Sequence, residues 1–345
     1  MAPETGNETR VIGISYHHDL KEVQGDATLA GLIAARARTP FDRLEWWQGL
    51  EAECGLKPLI AVAREGEDVA ILPLQAGNGH LHALGNWYSF AVRPILSEHG
   101  VELLAALAHD LRRRAWRITM GPLPDEDGSA TLLAEAFVQS GWSVARQQCD
   151  VNRFDDLGRY ASYAAFLADR PGQLRTTLKR KAGKVETTIH LAVTDAIWSA
   201  YEAVYRASWK PEEGSFGFLR RFAVTEAAAG RLRLGLATRD GAPVAAQLWT
   251  LERGTAFIHK LAHTEAAKPL SPGTTLSAAL FAHVIDIDRA EAVDFGTGDD
   301  AYKRDWMNGV RPRFRLDLLD PLSPRAWPHM VRATARRLVS APVAG

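Results

Sequence analysis

Apolar and polar residues follow one another along this chain in an order that runs through once and then begins again. Arg10–His17 predicts a first strand and Ala27–Arg38 a helix. Pro40 opens an aromatic-rich segment in which Leu44, Trp47, Gln48 and Leu50 fit one helix face, with Gly55 as its stop. Pro58–Arg64 and Asp68–Leu74 predict two strands around the turn Glu65-Gly66-Glu67. A further strand at His80–Leu84 leads into an aromatic loop, Gly85–Phe90. Leu103, Leu104, Leu107, Ala108 and Leu111 are spaced as on a helix spanning Glu98–Trp116. A strand at Trp116–Gly121, a helix near Thr131–Ser140 and a strand near Val144–Val151 complete the first series.

The second series starts with a basic helix predicted over Tyr160–Lys184 and a strand at Thr188–Val193. Helices at Ala196–Trp209 and Gly217–Ala229 follow, then a strand at Arg231–Arg239 and a hairpin turn at Asp240-Gly241. Pro243–Leu251 and Thr255–His263 are the next strands. A loop then enters a helix at Pro272, with Leu276, Leu280, Val284 and Ile287 on one stripe. A buried strand at Ala292–Phe295, a short helix at Asp299–Met307 and a strand at Arg313–Leu319 close the series. The doubled order predicts two copies of one α/β unit, with the joint in Asp150–Arg159, although no letter-by-letter repeat is visible.

Bulk composition changes this picture little. At 345 residues the chain exceeds the size at which a single core usually stops growing, so two domains are expected. Lys+Arg and Asp+Glu are both 41, and this zero net charge argues against a protein built to wrap nucleic acid. Cys54 and Cys149 stand far apart, in no metal-like spacing, and are expected as free thiols in a reducing compartment. The polar N-terminal stretch predicts no signal peptide, and no run reaches the roughly 18 apolar residues of a membrane span. A cytoplasmic protein is expected.

Four places carry candidate chemistry. Ser271 stands where a helix cap would, Pro272 suits the first helical position, and Gly273, Thr274 and Thr275 follow. Such a start favours an anion such as a pyrophosphate, or it is an ordinary capped helix. In the strand FIHKLAH, strict alternation puts Phe257, His259, Leu261 and His263 on one face and Ile258, Lys260 and Ala262 on the other. A lysine among apolar neighbours faces a ligand or an acid partner. His259 is a hydrogen-bonded core residue or a catalytic one. The cluster DFGTGDDAYKRDWM supplies Asp299, Asp300, Tyr302 and Lys303 at a strand end, where sites are commonly built; its plain alternative is a capped helix. The basic run Arg175–Lys184 is a solvated helix face or an anion contact.

Taken in order, GAPVAAQLW, TAFIHKLAH, SPGTTL and VDFGTGDDAYKRDW resemble the acetyltransferases associated with bacterial cellulose biosynthesis. Those belong to the GNAT superfamily and are relatives of the FemAB peptidoglycan aminoacyltransferases. The resemblance is best over Leu174–Trp306, and WWQGLEAECGLKPLIAVAREGEDVAILPL looks like the N-terminal unit of such double-GNAT proteins. It implies an α/β fold of tandem GNAT-like units with mixed sheets flanked by helices. The boundaries expected are 10–153 for a degenerate unit, 154–320 for a catalytic one, and 321–345 for a basic amphipathic tail. The stretch KPLSPGTTL departs from the glycine-rich pyrophosphate loop usual in that superfamily.

The resemblance also implies a chemistry: acyl transfer from acyl-CoA to an amine, without a metal. Lys260, Ser271, Gly273, Thr274, Thr275 and Lys303 are the expected cofactor contacts. Tyr302 occupies the place of the tyrosine that protonates the departing thiolate, and Asp299, Asp300 or His259 takes the amine proton. The acceptor class implied is an amino sugar of an envelope or exopolysaccharide, or a long-chain sphingoid amine. Two other readings stand beside this one: aminoacyl-tRNA-dependent transfer as in the FemAB relatives, and a catalytically silent binding module. No nucleic-acid partner is expected. Arg325, Arg332, Arg336 and Arg337 mingle with Trp327, Met330, Val331, Leu338 and Val339, so the tail either packs on the body or touches an anionic membrane.

Overall fold

A computed structural model describes residues 11–77 and 79–332. Its strands are β1 (Gly13–His17), β2 (Pro58–Glu65), β3 (Asp68–Gln75), β4 (His80–Ala83), β5 (Ile95–Leu96), β6 (Arg117–Leu123) and β7 (Ser143–Asp156), then β8 (Glu186–His190), β9 (Leu232–Arg239), β10 (Ala242–Glu252), β11 (Thr255–His263), β12 (Ala292–Thr297) and β13 (Gly309–Leu319). The helices of the first half are α1 (Leu20–Gly25), α2 (Ala27–Arg36), α3 (Leu44–Cys54), α4 (Leu103–Leu111) and α5 (Ser129–Gln139). Those of the second are α6 (Tyr163–Ala168), α7 (Gly172–Lys181), α8 (Asp195–Arg206), α9 (Phe216–Ala228), α10 (Pro272–Ala282) and α11 (Ala301–Trp306).

All thirteen strands join one mixed sheet with the order β1-β2-β3-β4-β6-β13-β7-β12-β11-β10-β9-β8, and β5 pairs with β3. Each half runs as an antiparallel series that ends in one parallel pair, β4 with β6 and β11 with β12. The two halves are interlocked at the centre. The last strand, β13, lies between β6 and β7, and β7 in turn lies between β13 and β12.

The core explains why both halves share one body. Leu20, Leu29, Trp46 and Trp47 from the first half bury against Tyr201, Phe218, Phe222 and Phe257 from the second in a single apolar cluster. Trp46 meets Phe218 and Phe222 edge-on at 4.9 Å. Arg43 donates to Glu226 at 2.7 Å across the same seam, both side chains being nearly inaccessible. A pair so buried is favourable only because further bonds hold it, and Arg231 supplies one from its Nε at 2.9 Å. Helices α4 and α5 cover a second cluster, and α6, α7 and α10 a third.

Several sequence expectations are corrected. The helix expected over Tyr160–Lys184 breaks into α6 and α7 because Pro171 removes a backbone donor and forces its neighbour out of helical geometry. The helix expected over Glu98–Trp116 is regular only in α4. The strand expected to end at Val151 continues to Asp156 and passes unbroken through the expected joint, because β12 and β13 offer it partners throughout. The stripe of α10 keeps Leu276, Leu280 and Val284 buried, but Ile287 is 68% exposed. A π-turn at His283–Ile287 adds a residue to the last turn and brings Ile285 inward instead.

Candidate active site

The site is built where two strands part. β11 and β12 pair only through Thr255–Phe257 and Ala292–Asp294, and both then continue without each other. Beside the parting, Leu248 pairs with Lys260 and Trp249 with Ile258, which leaves His259 as the extra residue of a β-bulge. The bulge overturns the strict alternation expected for FIHKLAH. His259 and Lys260 both turn to the face covered by α8 and α9, whereas Leu261 and His263 turn to the cavity described next.

That cavity, of about 670 Å³, lies in the gap. Leu261 and His263 line it from β11, Phe295 from β12, Gly273 and Thr274 from α10, and Ala301, Tyr302 and Lys303 from α11. Trp209 and Lys210 reach it from the connection between α8 and α9. The buried side chains of α8 and α9 belong to the cluster on one face of the sheet, and those of α10 to the cluster on the other. The cavity therefore passes through the sheet at the point where hydrogen bonding between β11 and β12 stops.

The start of α10 presents backbone donors to this space. Ser271 occupies the cap position in the left-handed region, at φ +52° and ψ +48°, and its side chain makes no capping bond. Its expected capping role is thus corrected: the left-handed backbone turns the hydroxyl away from the first-turn N–H groups. Gly273 is buried at the cavity wall.

Tyr302 is held over this start by a buried polar network. Its hydroxyl donates to the Gly273 carbonyl at 3.2 Å and lies 2.8 Å from Ser277 Oγ. Gln247 Nε2 donates to the same carbonyl at 3.0 Å and to Ser277 Oγ at 2.8 Å, and Trp249 Nε1 donates to Gln247 Oε1 at 2.8 Å. Burial pushes the Tyr302 phenol up to about 12, so it keeps its proton at neutral pH.

Of the residues singled out from the sequence, the structure gathers Ser271, Gly273, Thr274, Asp300, Tyr302 and Lys303 around one cavity. Asp300 also caps α11, accepting from the Lys303 backbone at 3.0 Å. The Lys303 ammonium donates to the Thr297 carbonyl. Burial lowers its pKa, against the opposing pull of Asp300, Asp294, Asp150 and Asp299. Four other candidates lie elsewhere. Thr275 turns back to the Ser271 carbonyl at 3.3 Å. Asp299 pairs with Arg153, whose Nε donates at 2.8 Å and whose guanidinium holds the carboxyl below its usual range. Lys260 pairs with Glu213 at 2.9 Å and sits over the Tyr88 ring. His259 lies among Phe41, Trp46, Phe90 and Phe222, with its Nε2 2.7 Å from Thr250 Oγ1. Burial, with Arg43 and Lys260 nearby, holds its imidazole down at about 3.

Trp209, Lys210, Lys268, Gln247 and Ser277 are site residues that sequence reasoning missed. The signal for Trp209 and Lys210 was an aromatic and a cation together in a loop between two helices. Gln247 was readable as an amide inside an apolar strand, where a buried amide needs partners.

Residues 172–304 match the acetyltransferase (GNAT) domain. No curated protein sequence matches the chain. Among solved structures, FemX superposes with a TM-score of 0.63 at 10% identity, over 91% of this chain and 99% of that one. A C-terminal domain from Agrobacterium fabrum, from a protein described as a lysylphosphatidylglycerol synthetase, superposes at 0.59 with 14% identity, over 90% and 95%. A tandem GNAT protein from the clavulanic acid biosynthesis pathway reaches 0.51 at 16% identity, over 89% and 98%. At such identities the likeness shows the fold alone, and that fold is the tandem GNAT one.

A GNAT domain implies an acyl-CoA co-substrate, and the residues present fit one. The α10 start has no side-chain cap, so its dipole and N–H groups remain for an anion. Lys268 adds a positive charge beside that start, and the cavity volume suits a ligand of this class.

Proposed function

We propose that this chain is an acyl-CoA-dependent N-acyltransferase with its active site in the second half. The observation that carries the reading is a cavity through the sheet with an uncapped helix start on one side and a proton-bearing Tyr302 inside it. Acyl-CoA supplies the activated thioester when bound. The α10 start and Lys268 would hold its phosphates. Tyr302 Oη holds a proton in reach of the cavity, suited to the departing sulfur. Asp300, on the cavity wall, is the carboxylate placed to take the amine proton through water. His259 is the weaker candidate for that role, enclosed by rings and bound to Thr250.

The first half, 10–153, is proposed as a degenerate partner of the catalytic unit 154–320. Its aromatic loop supports a role beside the acceptor, because Trp87 is exposed and rests on Gly214 in the α8–α9 connection. The acceptor proposed is an amine of the cell envelope, either an amino sugar of a polysaccharide or a long-chain amine.

The test is a melting curve with acetyl-CoA and longer acyl-CoAs, followed by thiol release with amine acceptors. A bound acyl-CoA present at 100 times its Kd should add about 2.7 kcal/mol of stability. A second reading, aminoacyl transfer, draws on the fold shared with FemX and on the exposed Arg175, Lys179 and Arg180 of α7. It requires stabilisation by aminoacyl-tRNA and none by any acyl-CoA; a silent module requires neither.

A peripheral membrane contact is proposed for the 321–345 tail of a cytoplasmic protein. No helix among the described residues is long and apolar enough to cross a membrane. Trp327 and Val331 are exposed on the helical stretch 327–332, while Arg336, Arg337, Leu338 and Val339 lie outside the described residues. Equal flotation on anionic liposomes with and without residues 325–345 would remove that idea.

A further inference from the structure

The charges around the cavity are unbalanced, and the cations come from different elements. Three lysines line the cavity, Lys210, Lys268 and Lys303, against a single carboxylate, Asp300. Among the described residues none of the three lysines lies within 4.0 Å of a carboxylate; Lys260 is the lysine that does. The acids near Lys210 are already engaged. Glu213 accepts from Tyr88 at 2.5 Å and pairs with Lys260, and Asp300 caps α11.

The lysines do not share one role, because they stand on different elements. Lys268 precedes α10, on the face assigned above to the phosphates of acyl-CoA. Lys210 belongs to the α8–α9 connection and is half-buried beside Trp209. That connection is fixed to the end of β11 by a bridge between Ser208 and Thr264, and Trp209 contacts the His263 ring at 4.3 Å. The Lys210 ammonium is thus held at the cavity by a braced segment. Burial, and then Lys260 and Lys303, lower its pKa, against the opposing pull of Glu213 and Asp300.

A plain ammonium acceptor would meet repulsion here. An amine that also bears an anion would not: the anion would pair with Lys210, and the surrounding cations would favour the neutral, nucleophilic form of the amine. We propose that the acceptor carries a carboxylate or phosphate close to its amine, and that Lys210 recognises this acidic group. The inference rests on the acyl-transfer reading and narrows it, favouring an acidic amino sugar over a long-chain amine that bears no acidic group.

The test uses the full chain and amines in matched pairs: glucosamine with glucosamine 6-phosphate, ethanolamine with O-phosphoethanolamine, and butylamine with 4-aminobutyrate. A melting shift with acetyl-CoA is recorded first. The acidic member of at least one pair is expected to show a kcat/KM at least about tenfold higher, as one charge-assisted hydrogen bond allows. The phosphate and carboxylate arms separate the two sources of charge. Lys210→Met should abolish the preference through the acceptor KM and leave the acyl-CoA KM unchanged, and Lys210→Arg should retain most of it. If no pair turns over, the same pairs are scored by added melting shift with a non-transferable acyl-CoA thioether bound. Equal behaviour within all pairs, or a Lys210→Met effect confined to the acyl-CoA KM, overturns the proposal. Absence of any acyl-CoA shift overturns the acyl-CoA-dependent reading itself, so the two failures are distinguishable.

Discussion

Burial shifts both Tyr302 and His259, and the directions assign them different tasks. A phenol raised to about 12 remains an acid throughout the physiological range. Tyr302→Phe should lower turnover by at least about tenfold in steady-state kinetics, the usual scale for a general acid. The same variant should cost only about 1 kcal/mol in a melting curve, since it loses the bonds to Gly273 and Ser277 and little packing. Any loss of activity between pH 8 and 10 must arise from another group. His259 behaves oppositely: its imidazole is held at about 3 in the fold against 6.5 in the open chain. Its contribution to stability is complete above pH 6.5 and is lost as pH falls toward 3, by about 1.4 kcal/mol per unit. Denaturant melts from pH 7 to 4 should be flatter for His259→Phe than for the parent chain; identical slopes would contradict the burial. Tyr302 was singled out by its motif, whereas the seclusion of His259 was not visible, because it depends on rings from residues 41, 46, 90 and 222.

Two elements make the site, and their legibility differs. The start of α10 was readable from Pro272 and Gly273, since proline suits a first helical turn and glycine leaves the backbone open. The left-handed Ser271 was not readable, because serine rarely adopts that region. Gly273→Asp tests the element. An ideal Cβ there meets its nearest neighbour, the His263 ring, at an ordinary 3.5 Å, and an acid in a first helical turn is favoured by the helix dipole. The melting temperature without ligand should therefore hold or rise slightly, while the shift produced by acetyl-CoA should vanish. A variant that still responds fully to acetyl-CoA would mean the phosphates lie elsewhere. The bulge in β11 is the opposite case. Alternation is a property of a strand alone, but an extra residue is defined only against its partner β10, so FIHKLAH could not reveal that His259 and Lys260 share a face.

Over the whole molecule, the decisive feature is the exchange of strands at the centre of the sheet. β13 fills the place between β6 and β7, so β6 keeps only β4 as a neighbour without the last strand of the chain. The large core cluster also draws on both halves. Residues 1–153 and 154–345 expressed apart should each lack a cooperative melting transition, and the full chain should unfold in one step by calorimetry. Two independent transitions, or a first half that melts cooperatively alone, would show the halves to be separable units.

The sequence by itself determined the doubled order of strands and helices, the helix start at Pro272 and the short capped helix that carries Asp300, Tyr302 and Lys303. Each is written in local periodicity, in proline and glycine, or in a short motif. Only the tertiary structure decided that β11 and β12 part after Phe257, that the bulge turns Lys260 toward Glu213, and that Lys210 lines the cavity with no carboxylate within 4.0 Å among the described residues. Those outcomes depend on which strands and side chains meet across tens to hundreds of residues, and no local pattern encodes such meetings.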